Sequence, residues 1–172
     1  MRIHLGANYL GYELGRALEA WLDSTGFEVV WHGAPEFDNE DDYPLYSIRV
    51  GQAVIEDEDA GVPARGIIVG ETGAPETIVA NKVNGSRAVP GLSKEFVIDA
   101  RQHADANILI LGQKLIQEVD ARELVTVFLA EDFLNILDDA RRIINTAEFE
   151  TSGTIEGWMI EYSSGSSGPK GL

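Results

Sequence analysis

Two acids stand close together where a strand turns into a helix, in Gly70-Glu71-Thr72-Gly73-Ala74-Pro75-Glu76 after the apolar run Gly66-Ile67-Ile68-Val69. A carboxylate beside free backbone N–H groups is equipment for removing a proton next to a carbonyl, because one takes the proton and the others stabilise the oxyanion. Glu76 falls in the first turn of its helix, where the dipole favours an ionised carboxylate, and the N–H groups around Glu71, Thr72, Gly73 and Ala74 are placed to cradle an anion. By residue type alone, capping of the helix start is the stronger reading of Glu76. Three further residues join this set as strand-end residues of the same crevice. They are Asn8 and Tyr9 after the first strand, and His103, whose side-chain type titrates near neutrality, shortly before the fifth.

The elements that must position these groups are read from apolar periodicity. Arg2 to Ala7 reads as a strand, and Leu10, Leu14, Ala17, Leu18 and Trp21 recur at helical spacing up to Gly26. Strands follow at 27–31, 65–69, 86–89 and 106–111, with helices at about 44–58, from Pro75, at 93–103, 120–130 and 133–147. Strands each followed by a helix predict a doubly wound α/β sandwich, a Rossmann-like five-stranded parallel sheet that binds ligands at the carboxyl ends of its strands. The expected domain covers 1–150. Residues 151–162, with Gly157-Trp158-Met159-Ile160-Glu161-Tyr162, form an extension apolar enough to dock on the body or on a second subunit, and the Ser/Gly-rich 163–172 reads as a flexible tail.

Composition narrows the function. With 172 residues, 44% of them hydrophobic, the chain has material for one full core, and its net charge of −16 repels nucleic acid and acidic membrane surfaces. The absence of cysteine removes thiolate metal sites and thiol nucleophiles. No apolar run approaches the ~20 residues of a membrane span, which leads to the expectation of a soluble cytoplasmic protein. Asp38-Asn39-Glu40-Asp41-Asp42 lacks the alternating ligands and central glycine of a calcium loop, and Gly6 with Gly11 do not make a dinucleotide fingerprint. No metal and no cofactor are expected.

The order of several short elements carries a resemblance. Leu5-Gly6-Ala7, Gly11-Tyr12-Glu13-Leu14, Asp41-Asp42-Tyr43-Pro44, the loop from Gly70 to Ala80-Asn81-Lys82-Val83, Arg101-Gln102-His103 with Asp105-Ala106-Asn107, and Arg141-Arg142-Ile143 resemble the type B ribose-5-phosphate isomerase and galactose-6-phosphate isomerase family over roughly 1–144. In one branch of that family the base that takes the C2 proton is a cysteine at the start of the loop, and in another it is a glutamate six residues on. Here those positions are Gly70 and Glu76, so the resemblance implies a carboxylate base. It further implies that Thr72 supplies the hydroxyl of the anion hole, with Gly73 and Ala74 in the same turn, that Tyr43 lines the sugar site, and that His103 opens the sugar ring. It also implies a homodimer or homotetramer with sites shared between subunits.

The departures from the family pattern are as informative. Its first loop reads Asp-His-Ala-Gly, and here it is Asn8-Tyr9-Leu10-Gly11. A basic residue and a histidine near the C-terminus become Asp138 and Asp139; Lys114 replaces an arginine, Arg142 remains, and Arg141 reads as a surface ion pair. A lysine does not replace a guanidinium fork at a phosphate. Glu71 replaces a small residue of the anion loop, and Pro75 has no N–H to offer. These changes imply an aldose–ketose isomerase acting on a sugar or sugar phosphate other than ribose 5-phosphate. The alternative is a non-catalytic sugar-binding or assembly subunit that keeps the fold.

Overall fold

The computed structural model describes residues 1–155 and 158–159. Five parallel strands, β1 (Arg2–Ala7), β2 (Glu28–Trp31), β3 (Ala64–Gly70), β4 (Ala88–Pro90) and β5 (Ile108–Gly112), lie in the order β2-β1-β3-β5-β4. Six helices accompany them: α1 (Tyr12–Ser24), α2 (Tyr43–Asp59), α3 (Ala74–Ala80), α4 (Lys94–Ala104), α5 (Glu118–Ala130) and α6 (Leu137–Ser152). The expected five-stranded Rossmann-like sandwich is the fold.

Both faces of the sheet are covered, which is why its central strands read as continuous apolar runs rather than alternating ones. Ile67 and Val69 of β3 and Leu109 and Leu111 of β5 pack with Leu14, Leu18 and Leu22 of α1, Val97 of α4 and Phe128 of α5. Ile68, Ile108 and Ile110 point the other way, onto Val50 and Val54 of α2 and Ala80 of α3. Each large apolar side chain buried this way contributes about 1.5–3 kcal/mol. The outward neighbour Gly66 is small because a Cβ there would meet the side chains of Ile108, Val50 and Val54 at 2.9–3.1 Å.

Several boundaries differ from the sequence reading. The fourth strand begins at Ala88, not at residue 86, since Ser86 N–H closes a turn on Val83 C=O; Pro90 is tolerated because β4 is an edge strand. The last helix starts at Leu137, four residues later than expected. Leu134 N–H is drawn to the Gln102 carbonyl and Asn135 adopts φ 51°, so the chain stays irregular until Ile136. That helix then runs to Ser152, where Gly153 at φ 73° ends it, so the domain edge expected at 150 falls inside a helix. Beyond it a short antiparallel pair joins β6 (Thr154–Ile155) to β7 (Trp158–Met159). The rest of the 151–162 extension, and the tail expected at 163–172, lie outside the described residues.

Among the described residues, no helix is long and apolar enough to cross a membrane. The acidic loop is used locally: Asp38 accepts from Glu40 N–H, Asp41 from Tyr9 N–H and Asp42 from Tyr43 N–H.

Candidate active site

The order of strands reverses between β1 and β3, and the crevice of such a sheet opens there, at the carboxyl ends. Both loops leaving these strands are pressed together. A Cβ on Gly11 would lie 2.2 Å from the Val69 carbonyl oxygen, so only glycine lets the Asn8–Gly11 loop cross the end of β3. On the other side the Thr72 backbone fits against Gly112, where a Cβ would come within 2.6 Å of it. Gln113 fastens the assembly, donating its N–H to Gly70 C=O and accepting from Leu14 N–H.

Glu76 occupies the centre of this crevice and is 2% exposed. Its carboxylate fills the space a side chain at position 70 would need, since a Cβ on Gly70 would sit 2.0 Å from Oε1 and 2.6 Å from Oε2. Oε2 is buried without a hydrogen-bond partner. The sequence reading expected the helix dipole to favour the ionised form, but the pKa is raised. Burial is the largest cause, opposed by the backbone N–H of Glu76 itself, and the nearby charge of Glu71 adds to the rise against the Gly73 N–H. Burial outweighs a one-turn dipole because a carboxylate loses its hydration shell there.

Around it lie most of the residues singled out in the sequence. Asn8 is buried with Oδ1 unpartnered, and Asp41, which holds Tyr9 N–H at 2.8 Å, has an unpartnered Oδ2. Tyr9 packs edge-on against Phe37, with ring centroids 6.4 Å apart. Tyr43 begins α2 and is half-buried. Gly73 turns the chain at φ 81° into α3, Thr72 and Ala74 flank it exposed, and the N–H groups of Thr72 and Gly73 make no backbone hydrogen bond among the described residues. Glu71 is ion-paired with Lys114, whose own backbone N–H bonds the Glu71 carbonyl.

His103 is elsewhere. The crevice expected to hold it together with Asn8 and Glu76 is not formed within one chain. Helix α4 leaves the carboxyl end of β4 and returns toward the start of β5, so its last turn, which carries His103, lies at the opposite edge of the sheet from Gly70. The register from Gly66↔Ile108 to Gly70↔Gly112 alone spans four residues, about 13 Å. At that edge His103 Nδ1 lies 2.8 Å from Asp139 Oδ2, while Arg142 Nη1 donates to Asp139 Oδ1 at 2.7 Å. A pocket lined by Arg87, Val89, His103, Ala106, Arg142 and Ile143 opens beside them. Asp138, named with Asp139 in the sequence, is exposed and faces Arg141 at 3.7 Å instead.

A family model described as "Ribose/Galactose Isomerase" matches residues 3–145, and the buried acid at the switch point sits within that match. The chain belongs to the ribose/galactose isomerase family. Its similarity to the ribose-5-phosphate isomerase B of Mycobacterium tuberculosis is 33% identity over 150 residues, 87% of this chain and 90% of the relative. The structure of ribose-5-phosphate isomerase B from Clostridium thermocellum superposes with a TM-score of 0.81 at 32% identity, covering 90% of this chain and all of that one. That of ribose-5-phosphate isomerase B from Mycoplasma genitalium with bound ribulose 5-phosphate gives 0.82 at 29% identity, covering 88% and 97%. Membership of the ribose/galactose isomerase family places the chain among aldose–ketose isomerases.

Several family elements turn out to be scaffolding. Asn81 of the Ala-Asn-Lys-Val element makes two hydrogen bonds to the Ala88 backbone, tying α3 to the edge strand. Arg101, 1% exposed, donates to Asp105, to the Ala106 carbonyl and to the Glu131 carbonyl, fixing the end of α4 beneath His103. Asp41 and Gln113 were missed by sequence reasoning as site residues, and Asp139 was named only as a departure from the family pattern. Their partners are 32, 99 and 36 positions away, and no local pattern announces such contacts.

Proposed function

We propose that this chain moves a proton between C2 and C1 of an open-chain sugar through an enediolate, with Glu76 as the shuttle. The observation that carries this reading is the buried, unpartnered Glu76 carboxylate seated against Gly70 with its pKa raised. A base with a raised pKa is better matched to abstracting a carbon-bound proton near neutrality. Glu76 takes the C2 proton, the electron pair moves into the C1–C2 bond, and the carbonyl oxygen becomes an oxyanion facing the turn at Thr72, whose N–H makes no backbone hydrogen bond among the described residues. Transfer of the O2 hydroxyl proton to the O1 oxyanion, with return of the carbon-derived proton from Glu76 to C1 as the O2 carbonyl forms, completes the isomerisation with no cofactor consumed. The unpartnered acceptors Asn8 Oδ1 and Asp41 Oδ2 suit a ligand rich in donating hydroxyls, and Tyr9 and Tyr43 wall the same crevice.

The working unit is a homodimer or homotetramer in which His103 of one copy opens the ring of a sugar bound at Glu76 of another. The support is topological: the two groups occupy opposite edges of the sheet in one chain. Mixing and reassociating Glu76→Gln with His103→Gln, each inactive alone on a cyclic sugar, is expected to restore about a quarter of the sites, because only one of the two sites in each mixed dimer is intact. No recovery after verified subunit exchange sinks the shared site.

As to substrate, Lys114, Arg141 and Arg142 are each engaged by an acid of the same chain, Glu71, Asp138 and Asp139. This favours a sugar phosphate other than ribose 5-phosphate, or an unphosphorylated sugar, over ribose 5-phosphate itself. Isomerisation across tetroses to hexoses, with and without phosphate, decides it. An ordinary Michaelis constant for ribose 5-phosphate removes the altered selectivity and leaves the isomerase.

A further inference from the structure

Asp139 stands where the family pattern has a cationic or histidine side chain, and the structure gives it a different task. It is 9% exposed, in the first turn of α6, and both carboxylate oxygens are taken: Oδ2 by His103 Nδ1 at 2.8 Å and Oδ1 by Arg142 Nη1 at 2.7 Å. Its pKa is lowered, chiefly by the His103 hydrogen bond, so near neutrality it is an acceptor only. The proton in the 2.8 Å contact therefore sits on His103 Nδ1. A neutral imidazole carries one N–H, so its Nε2 is left as a lone pair, and the ring keeps 42% of its side-chain surface exposed with no other partner among the described residues.

We infer that Asp139 is a positioning residue for His103, locking the imidazole as the Nδ1–H tautomer with Nε2 free to work on a cyclic sugar. This rests on the isomerase reading above. Nε2 takes the proton from the anomeric hydroxyl, the oxygen pair forms the C1 carbonyl as the bond from C1 to the ring oxygen breaks, and the proton passes from Nε2 to that ring oxygen. No proton is gained or lost overall, and Asp139 stays ionised throughout. Arg142 holds the carboxylate in line, which accounts for its engagement by an acid in a position where the family resemblance suggested a phosphate contact.

The test separates this role from plain folding and from the isomerase reading itself. Nitrogen-15 spectra of the full-length protein contain only three histidines, and His103→Gln identifies the relevant one. The wild type is expected to show His103 protonated at Nδ1, and Asp139→Ala to lose that tautomer. In the kinetic arm, ribose 5-phosphate, which closes a ring, is compared with ribulose 5-phosphate, which cannot because its C5 oxygen carries the phosphate. Asp139→Ala is expected to lower kcat from ribose 5-phosphate about tenfold to a hundredfold, with the rate from ribulose 5-phosphate nearly kept and Asp139→Glu recovering part of the loss. An Nε2–H tautomer in the wild type, or equal losses from both sugars, overturns the proposal. If the wild type turns over neither sugar, the same comparison is made with the ring-closing aldose and its ketose that the substrate panel identifies; silence on the whole panel removes the isomerase reading, and the tautomer then judges the Asp139–His103 pair.

Discussion

The two edges of the sheet each hold a buried carboxylate, and they are treated in opposite ways. Glu76, at the carboxyl ends of the strands, has an oxygen with no partner and a raised pKa. Asp139, at the far edge, has both oxygens bonded and a lowered pKa. An acid that must pick up a proton from carbon is left with one oxygen unpartnered, because every further donor aimed at it would stabilise its resting charge. An acid that must only hold another group is saturated. The difference between the edges is therefore a difference between reacting and positioning.

The largest effect that bears on this contrast is expected from Glu76→Gln. Removing the base should cost about a thousandfold in kcat. The same substitution should stabilise the fold by roughly 1 kcal/mol near pH 8. The sign follows from the raised pKa: the folded state keeps its proton above pH 4.5, the unfolded carboxyl does not, and so stability falls as pH rises through the folded value. Chemical denaturation of both forms at pH 5 and pH 8 checks it, and a destabilised Glu76→Gln at pH 8 would contradict the picture of a strained base. Gly70→Ala should come next, at about a hundredfold in activity, since the methyl group takes the carboxylate's place and a displacement of about 1 Å is enough for such a loss. Because the clash is with the mobile end of a side chain, its melting temperature should stay close to that of the wild type. A Gly70→Ala protein that is fully active would show that the carboxylate does not need this seat.

How far the sequence reveals these edges depends on distance along the chain. The fold was legible because burial on both faces leaves apolar runs at Gly66–Val69 of β3 and Ile108–Leu111 of β5, and because glycines mark the turns after them. Gly70 and Glu76 were legible as a pair since they are six residues apart in one loop. At the other edge the relevant contact joins α4 to α6, 36 residues apart, and helical phase decides which of two adjacent acids meets His103. Sequence reading named Asp138 and Asp139 together; the turn of α6 sends Asp138 to solvent, while Asp139 faces α4. The irregular stretch before α6 hid that phase, because its start is set by Leu134 bonding to Gln102 and not by a capping side chain.

A second carboxylate–histidine pair tests whether pairing or exposure makes His103 the working residue. Asp57 Oδ2 lies 2.9 Å from His4 Nε2, and Arg2 grips the same carboxylate as Arg142 grips Asp139. Yet the His4 side chain is 6% exposed, against 42% for His103, and its Nδ1 meets only His32 Nε2 at 2.8 Å. No substrate reaches such a ring, so its chemistry is confined to stability. Burial, together with the charges of His4 and Arg49, pulls the His32 pKa down to about 4. Between about pH 6.5 and pH 4 the unfolded chain thus binds more protons than the folded one at this residue, so stability is lost as pH falls through that window. Allowing for the partial exposure of the ring, the loss should be about 1–2 kcal/mol. Urea titrations at pH 6.5 and 4.5 measure it, and His32→Phe should flatten the difference without changing the tautomer of His103. If His103→Gln flattened it as much, the two pairs would not be distinguished by exposure.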